Sequence, residues 1–293
     1  MKHIHFIINP KAGRGKSQIT YDFLRPFFND ENYFLKVKSS SYKKEAVLLT
    51  QESIKEGANI IVACGGDGTI NEVASSLVGT DMKLGIIPLG SGNGLASNLN
   101  IPRNIEKAIS IIKEEKQIKI DVGSINGRFF FSNTGIGFDA NIIKNYEISG
   151  RHTLTGYIMA SLKTFNEWHK KEKVDIFINQ NHLEINPFMI FISNSNELGY
   201  NVSLTPEASL QDGLLDVIII PQIGKFKMLW FGILLLLKKQ HMFKEIRSFQ
   251  SRDFHIYKSN EKFIESQIDG ELCKMEGDSI YISLKEKSLS VLI

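Results

Sequence analysis

Ile60-Ile61-Val62-Ala63-Cys64-Gly65-Gly66-Asp67-Gly68-Thr69-Ile70-Asn71-Glu72-Val73 reads as a buried strand that breaks on glycine around one acid and resumes as a helix. Its first apolar residues end in small ones, which suits the C-terminal end of a parallel strand. The spacing of Thr69 and Glu72 is that of a capping box opening a helix. A ligand is expected at this turn, because Gly65, Gly66 and Gly68 let the backbone approach closely and a helix N-terminus favours negative charge. That chemistry suits phosphate. Asp67 would repel a phosphate unless a cation lies between them or it takes a proton from the attacking group. The loop therefore reads as a nucleotide-phosphate and metal site. The bland alternative is an ordinary strand-to-helix turn with Asp67 as a solvated cap.

Outward from this stretch, strand-like and helix-like segments alternate. Residues 4–8, 33–38 and 84–88 read as strands, and 16–29, 43–55 (closed by Gly57) and 105–113 as helices. Repeated β-α predicts a doubly wound, three-layer α/β domain with a parallel sheet, and ligands along the edge where the strands end. Three loops there carry glycine or hydroxyl chemistry: 9–17 after the first strand, 65–69, and Gly90-Ser91-Gly92-Asn93-Gly94. The first lacks the Walker spacing of a P-loop, and no Gly-x-Gly-x-x-Gly fingerprint with a downstream acid is present. P-loop NTPases and ordinary dehydrogenases are disfavoured.

Past about residue 115 the pattern turns strand-rich. Residues 118–123, 128–133, 174–179, 187–193, 214–220, 252–257, 263–268 and 279–284 read as strands, interrupted by helices near 153–171 and 226–243. This predicts a second domain, an antiparallel β-sandwich. The expected division is 1–120, with 285–293 returning to it, and 121–284. Three acidic motifs lie in or at the edge of this region: Asp121 before Gly123, the turn Asp212-Gly213-Leu214-Leu215-Asp216, and Asp269-Gly270-Glu271. Asp-Gly is also ordinary β-turn chemistry. A strand's end is nonetheless a rigid mount for an acid, and paired acids suit deprotonation of a hydroxyl near a metal. The layout then places nucleotide on one domain and acceptor on the other, with the active site in the cleft between.

The chain has 293 residues and a net charge of +3. That charge is too mild to imply nucleic acid and is compatible with an anionic membrane surface. Cys64 and Cys273 form no ligand cluster, which fits a reducing cytoplasm, and Met1 runs straight into a strand rather than a leader. The longest apolar run, 228–237, is flanked by Lys225, Lys227, Lys238 and Lys239. It is about half a bilayer span, so it is either a core helix or an interfacial one that docks on lipid.

Taken together, Asn9-Pro10-Lys11-Ala12-Gly13, Gly65-Gly66-Asp67-Gly68-Thr69-Ile70-Asn71-Glu72, Pro88-Leu89-Gly90-Ser91-Gly92-Asn93, Asp121-Val122-Gly123, residues 133–139, Pro206-Glu207-Ala208 with residues 212–216, and Asp269-Gly270-Glu271 resemble, in order, the motifs of the diacylglycerol kinase and sphingosine kinase superfamily of soluble lipid kinases. The Gly-Gly-Asp-Gly-Thr signature alone is shared with NAD kinases and phosphofructokinases; the ordered set is specific to the lipid kinases.

The resemblance implies an ATP-dependent phosphotransferase acting on the primary hydroxyl of a lipid such as diacylglycerol or a sphingoid base. ATP contacts would fall on Asn9, Pro10, Lys11, Ala12, Gly13, Ser40, Gly65, Gly66, Asp67, Gly68, Thr69, Ile70, Asn71 and Ser91. Magnesium would accompany the phosphates near Asp67 and Asp121, and a further magnesium would sit at Ser209, Asp212 and Leu214. Asp269 or Glu271 would be the base, in an in-line phosphoryl transfer. Peripheral contact with a membrane surface is implied, and a homodimer is compatible with it. One departure concerns the lipid: bacterial diacylglycerol kinases usually carry Asp after the Asn of the third loop, where this chain has Gly94, as in the sphingosine and ceramide kinase version. The competing readings are an NAD kinase and a nucleotide-binding regulator without turnover.

Overall fold

The computed structural model describes residues 1–15, 19–28, 31–150, 153–169, 173–178, 181–196, 203–258 and 263–293. Within it the chain divides into two units, Met1–Asp121 with Glu286–Ile293, and Val122–Lys285.

The first unit is built on a parallel sheet. Its elements are β1 (Lys2–Ile8), α1 (Ala12–Gly15), α2 (Tyr21–Leu24), β2 (Tyr33–Ser39), α3 (Glu45–Lys55), β3 (Ile60–Gly65), α4 (Asp67–Leu77), β4 (Lys83–Pro88), α5 (Gly94–Asn98), α6 (Ile105–Glu114) and the start of β5 (Gln117–Ile125). The sheet order is β2-β1-β3-β4. The chain's last strand joins it beside β4, with Ser290 opposite Lys83 and Val291 opposite Leu84. Helices cover both sides of the central strands, so β1 from Ile4 to Ile8 and all of β3 are buried, which explains their unbroken apolar runs. Register sets the site: Ile8 lies opposite Cys64 and Gly65 opposite Pro88, so the loops after β1, β3 and β4 leave the same edge of the sheet.

Two local expectations need correction here. Helix α4 has no capping box: its N-cap is Gly66, without a side-chain bond, and Thr69 lies inside the first turn, where its Oγ1 accepts from Asn9 Nδ2 at 3.2 Å. Of the helix expected over 16–29, residues 16–18 and 29 lie outside the described residues. The described part is short: α2 starts behind the Thr20 cap and tightens into a 3-10 turn, Arg25–Phe28, where Pro26 removes a donor.

The second unit is an antiparallel sandwich. It holds the remainder of β5, then β6 (Arg128–Phe130), β7 (Asn133–Gly137), α7 (Phe138–Ser149), α8 (Leu154–Glu167), β8 (Val174–Ile178), β9 (Asn181–Ile185), β10 (Pro187–Ser193), β11 (Leu215–Pro221), α9 (Lys225–Leu236), β12 (Arg247–Ser251), β13 (Asp253–Tyr257), β14 (Phe263–Ile268), β15 (Glu271–Glu276) and the first half of β16 (Ser279–Leu292). One sheet runs β12-β11-β10-β7-β14-β15; in the other, β16 pairs with β13, β13 with β8 and β8 with β9. Ile190, Ile192, Val217 and Ile219 face Ile176, Phe254, Ile256 and Ile280 in one core between them. The alternate residues Met189, Phe191, Ile218 and Ile220 lie on the outer face, under Met228, Phe231 and Leu234 of α9. Both faces of β10 and β11 are thus covered, and apart from Asp216 near the start of β11 both strands read as nearly unbroken hydrophobic sequence.

The single strand expected over 128–133 is two: the chain turns at Phe131 and Ser132, whose amides point to Asp269. Helix α7 was not expected. Its signals are the positive-φ Gly137 before it and the left-handed Gly150 that ends it. The strands β9, β12 and β15 were also missed, because outer strands such as Asn181–Ile185 alternate with mostly exposed polar residues and carry little apolar signal. Residues 170, 171 and 179 of the expected helix and strand lie outside the described residues.

Candidate functional site

In the first unit the three loops interlock through main-chain contacts. The Asn9 amide donates to the Cys64 carbonyl at 3.0 Å, and the Leu89 amide to Gly65 O at 2.8 Å. A Cβ on Gly90 would stand 2.6 Å from Gly66 Cα, and one on Gly65 would stand 2.5 Å from Thr69 Cβ, so neither position admits a side chain without movement. Asn93, held at φ 60, clamps its own loop: Oδ1 accepts from the Gly90 amide at 2.9 Å and Nδ2 donates to the Gly90 carbonyl at 2.7 Å.

Asp67 joins the second loop to the third. Its Oδ2 accepts from the Asn93 amide at 2.8 Å and its Oδ1 from the Gly94 amide at 2.7 Å. Burial raises the carboxyl's pKa, and the two amides oppose that rise. The anomalous acid of the signature therefore holds the structure together locally, fixing the third loop against the first turn of α4. The amide of Asp67 itself also bonds the carboxylate, and with about four lone-pair sites on a carboxylate there is still room for a water or cation. The amides of that first turn have no partner within the helix, and with the glycines they form a cradle suited to phosphate.

The other expected nucleotide residues gather around this edge. Gly13, at φ 62, sits where a Cβ would meet the Leu89 carbonyl at 3.4 Å. The Lys11 amide donates to Asn9 Oδ1 and the Ala12 amide to the Asn9 carbonyl, so Asn9 shapes the loop on which Pro10 and Lys11 are exposed. The Ser40 amide donates to the Ile8 carbonyl at 2.8 Å, at the end of β1. Ile70 is buried in the core side of α4, which leaves only its backbone for a ligand, and Asn71 Oδ1 accepts from Ser75 Oγ. Gly68 lies between Asp67 and Thr69 in the first turn of α4. Ser91 is exposed, and its carbonyl and that of Gly92 accept from Arg103 Nη2. Arg103 escaped the sequence reading because a brace to carbonyls has no motif. Asp121 is fully buried at the end of this unit, and its Oδ1 accepts from the Lys287 amide at 2.6 Å, which ties the returning strand.

In the second unit, Asp269 and Gly270 form the turn between β14 and β15, with φ 47 and 81, and Glu271 opens β15. The Asp269 carboxylate caps three successive amides: Oδ1 accepts from Phe131 at 3.2 Å, Ser132 at 2.8 Å and Asn133 at 3.1 Å, and Oδ2 from Phe131 at 3.0 Å. Gln267 braces the same turn, its Oε1 accepting from the Gly270 amide and its Nε2 donating to Asn133 Oδ1. That Nε2 also reaches Asp139 Oδ2 at 3.4 Å. The other oxygen of Asp139 is buried without a partner, and burial pushes the carboxyl up to about 7. Gln267 and Asp139 carried no role in the sequence reading.

Ser209, Asp212 and Leu214 share one loop. The Gln211 amide donates to Ser209 Oγ and the Leu214 amide to Asp212 Oδ1. Asp216 follows on β11; burial raises its pKa, and Asp212 and Glu207 raise it further. Its Oδ2 is buried without a hydrogen-bond partner. An orphaned carboxylate oxygen beside further acids and carbonyls fits a hard, oxygen-ligated cation such as magnesium. Among the described residues no group of three or more His, Cys, Asp or Glu side chains already converges as a cage, so backbone oxygens and water would have to complete the shell.

Comparison with known proteins bears on both units. Residues 3–125 match the model of the diacylglycerol kinase catalytic domain, and residues 133–287 that of the YegS C-terminal NAD kinase beta sandwich-like domain. A protein of Serratia proteamaculans named "Probable lipid kinase YegS-like" is 32% identical over 219 residues, covering 72% of this chain and 70% of that one. A diacylglycerol kinase of Bacillus subtilis is 29% identical over 228 residues, covering 75% and 74%. A YegS-like relative from Cronobacter sakazakii is 30% identical over 195 residues, and the match spans 65% of its length. The crystal structure of a "putative diacylglycerol kinase" from Bacillus anthracis superposes with a TM-score of 0.81 at 25% identity, covering 99% of this chain and 95% of that one.

Proposed function

We propose, for a chain that belongs to the diacylglycerol kinase and YegS-like lipid kinase family, that it transfers the γ-phosphate of ATP to the primary hydroxyl of a lipid, a diacylglycerol or a long-chain base. The observation that carries this reading is the interlocked loop set at the N-terminus of α4, held by the two amide bonds to Asp67. A rigid cradle of glycine-loop and helix N-terminal amides binds phosphate oxygens without reorganising, which is the main protein contribution to phosphoryl transfer.

The structure supports a division of labour between the paired acids. Asp269 spends its carboxylate on the amides of Phe131, Ser132 and Asn133 and serves to set the turn. Glu271, next on that braced turn, is assigned the acceptance of the lipid hydroxyl proton. Magnesium, when bound, supplies positive charge that neutralises the phosphates. Asp67 and Asp121 would hold it through water at the nucleotide, and Asp212, with the carbonyls of Ser209 and Leu214 and the orphaned oxygen of Asp216, would hold a second ion. Only the Gly94 amide is used at the position where the lipid motif departs, so the head group is left for the assay to decide. The two free, buried cysteines accord with a reducing cytoplasm, and among the described residues no helix is long and apolar enough to cross a membrane.

The test is transfer of labelled γ-phosphate from magnesium-ATP, offering diacylglycerol, sphingosine, ceramide and NAD in parallel to the parent, Glu271→Gln and Asp67→Ala. A phosphorylated lipid lost in both variants supports the reading. Product with NAD alone overturns it in favour of an NAD kinase, and tight ATP binding with no product in favour of a regulator.

A further inference from the structure

Helix α9 is apolar all round, yet only one side of it is packed. Met228, Phe231 and Leu234 are buried against the outer face of β10 and β11 and against Phe243. Phe226, Leu229, Trp230, Ile233, Leu236 and Leu237 are exposed, Phe226 by 93% and Leu236 by 80%. Their offsets of three, four, seven, ten and eleven from Phe226 place them in one stripe along the helix. Met242 is also exposed just beyond it. Single exposed hydrophobes are normal on a protein surface, but a continuous stripe of six large ones marks a contact.

The charges say what the contact is. Residues 225–244 contain five lysines and no acid. Lys225 and Lys227 stand at the start of α9, Lys238 and Lys239 just past its end. Lys227 pairs with Glu245, and Lys225 lies over the Phe165 ring at 5.7 Å. Protein–protein interface cores are depleted in lysine, whereas a bilayer surface takes lysine ammonium groups at its phosphates while aliphatic and indole groups enter the acyl boundary. A helix entering end-on would carry cationic residues at one end only. Twelve residues of helix span about 18 Å, and both ends of this one are cationic.

We propose that α9 lies flat in the headgroup layer of an anionic membrane, its stripe from Phe226 to Leu237 immersed and its two lysine pairs at the level of the lipid phosphates. The inner face stays on the sandwich, so docking needs no unfolding. The proposal stands on α9 alone and does not rest on the lipid kinase reading.

The test is co-sedimentation of the full-length protein with vesicles of phosphatidylcholine alone or with about 30% phosphatidylglycerol added, enough to give an anionic surface, followed by tryptophan emission. Binding to the anionic vesicles, with a blue shift that Trp230→Phe abolishes, is expected. Phe226→Ser with Leu236→Ser should weaken partition on the order of tenfold or more, since each removes a large apolar group from lipid. Lys238→Glu with Lys239→Glu should weaken binding to anionic vesicles and leave the low affinity for neutral ones unchanged. All these residues are exposed, and an unchanged thermal midpoint separates lost docking from lost folding. Retained anionic binding in the double serine variant overturns the proposal. So does a stable dimer in solution that the serine pair dissociates, which would make the stripe a contact between two copies. Because neither readout involves turnover, failure of the docking and failure of the kinase assay are separate results.

Discussion

Asp139→Asn isolates the cost of one buried acid. Asp139 lies in the first turn of α7 beside Gly135, where any Cβ would strike its carboxylate, and Gln267 Nε2 with the amides of Ala140 and of Asp139 itself offset only part of its burial. Its carboxyl loses its proton near pH 7 in the folded chain, against an ordinary value of 3.8. In the unfolded chain the proton leaves near the ordinary value. Between about pH 4 and pH 7 the native state therefore binds more protons than the unfolded one, and stability falls as pH rises through that window. About three pH units at 1.36 kcal/mol each give an upper bound of ~4 kcal/mol, and partial solvent access brings the expectation to roughly 2–4 kcal/mol. Asparagine never ionises and offers Gln267 the same acceptor. Urea unfolding of parent and variant at about pH 4.5, 6, 7 and 8.5, values that bracket the window, followed by emission from Trp168, which packs edge-on to Phe138, reads the difference. The variant should match the parent at the most acid of these and exceed it by the stated amount at the most alkaline. A difference that stays constant with pH, or a variant weaker than the parent at the alkaline end, would refute the reasoning.

Asp269→Ala leaves three amides without their acceptor and should cost about 1–3 kcal/mol of stability in a melt, whereas Glu271→Gln, which keeps the side chain's length and an acceptor oxygen, should cost less than that and remove transfer to lipid. Asp67→Asn keeps one acceptor and turns an NH2 toward an amide donor, so magnesium-ATP should bind at least about tenfold more weakly by calorimetry, a loss of ~1.4 kcal/mol. Gly65→Ala drives a methyl into Thr69 and should destabilise the first unit by about 1–3 kcal/mol, with nucleotide affinity falling alongside; Thr69→Ala in the same chain should restore part of the stability. Arg103→Ala frees the carbonyls of Ser91 and Gly92 and should raise the KM for ATP with little change in the melt.

The parallel half of the fold was legible in residue order because its signals are local. A strand covered on both faces must be apolar throughout, as at 60–64, and the left-handed turn that closes α3 is most readily taken by a glycine, here Gly57 at φ 80. The glycine loops could be placed at one edge because the sheet is parallel and the strands end together. The same sequence determined the lipid kinase family, through the order of its motifs. It did not determine what the acids do. Asp67 could be read as a ligand or a cap, and the structure gives it two amides 26 and 27 residues away. Asp269 and Glu271 were equivalent until the amides of Phe131 to Asn133, 136–138 residues distant, took up one of them. Backbone donors are identical in every residue type, so a carboxylate's amide partners leave no trace in composition or spacing. Helix α9 shows the same limit for packing. Its sequence is apolar on every side, and which stripe is buried was decided only when Met189, Phe191, Ile218 and Ile220 presented one outer face of the sandwich to it, leaving Phe226 and Trp230 outside.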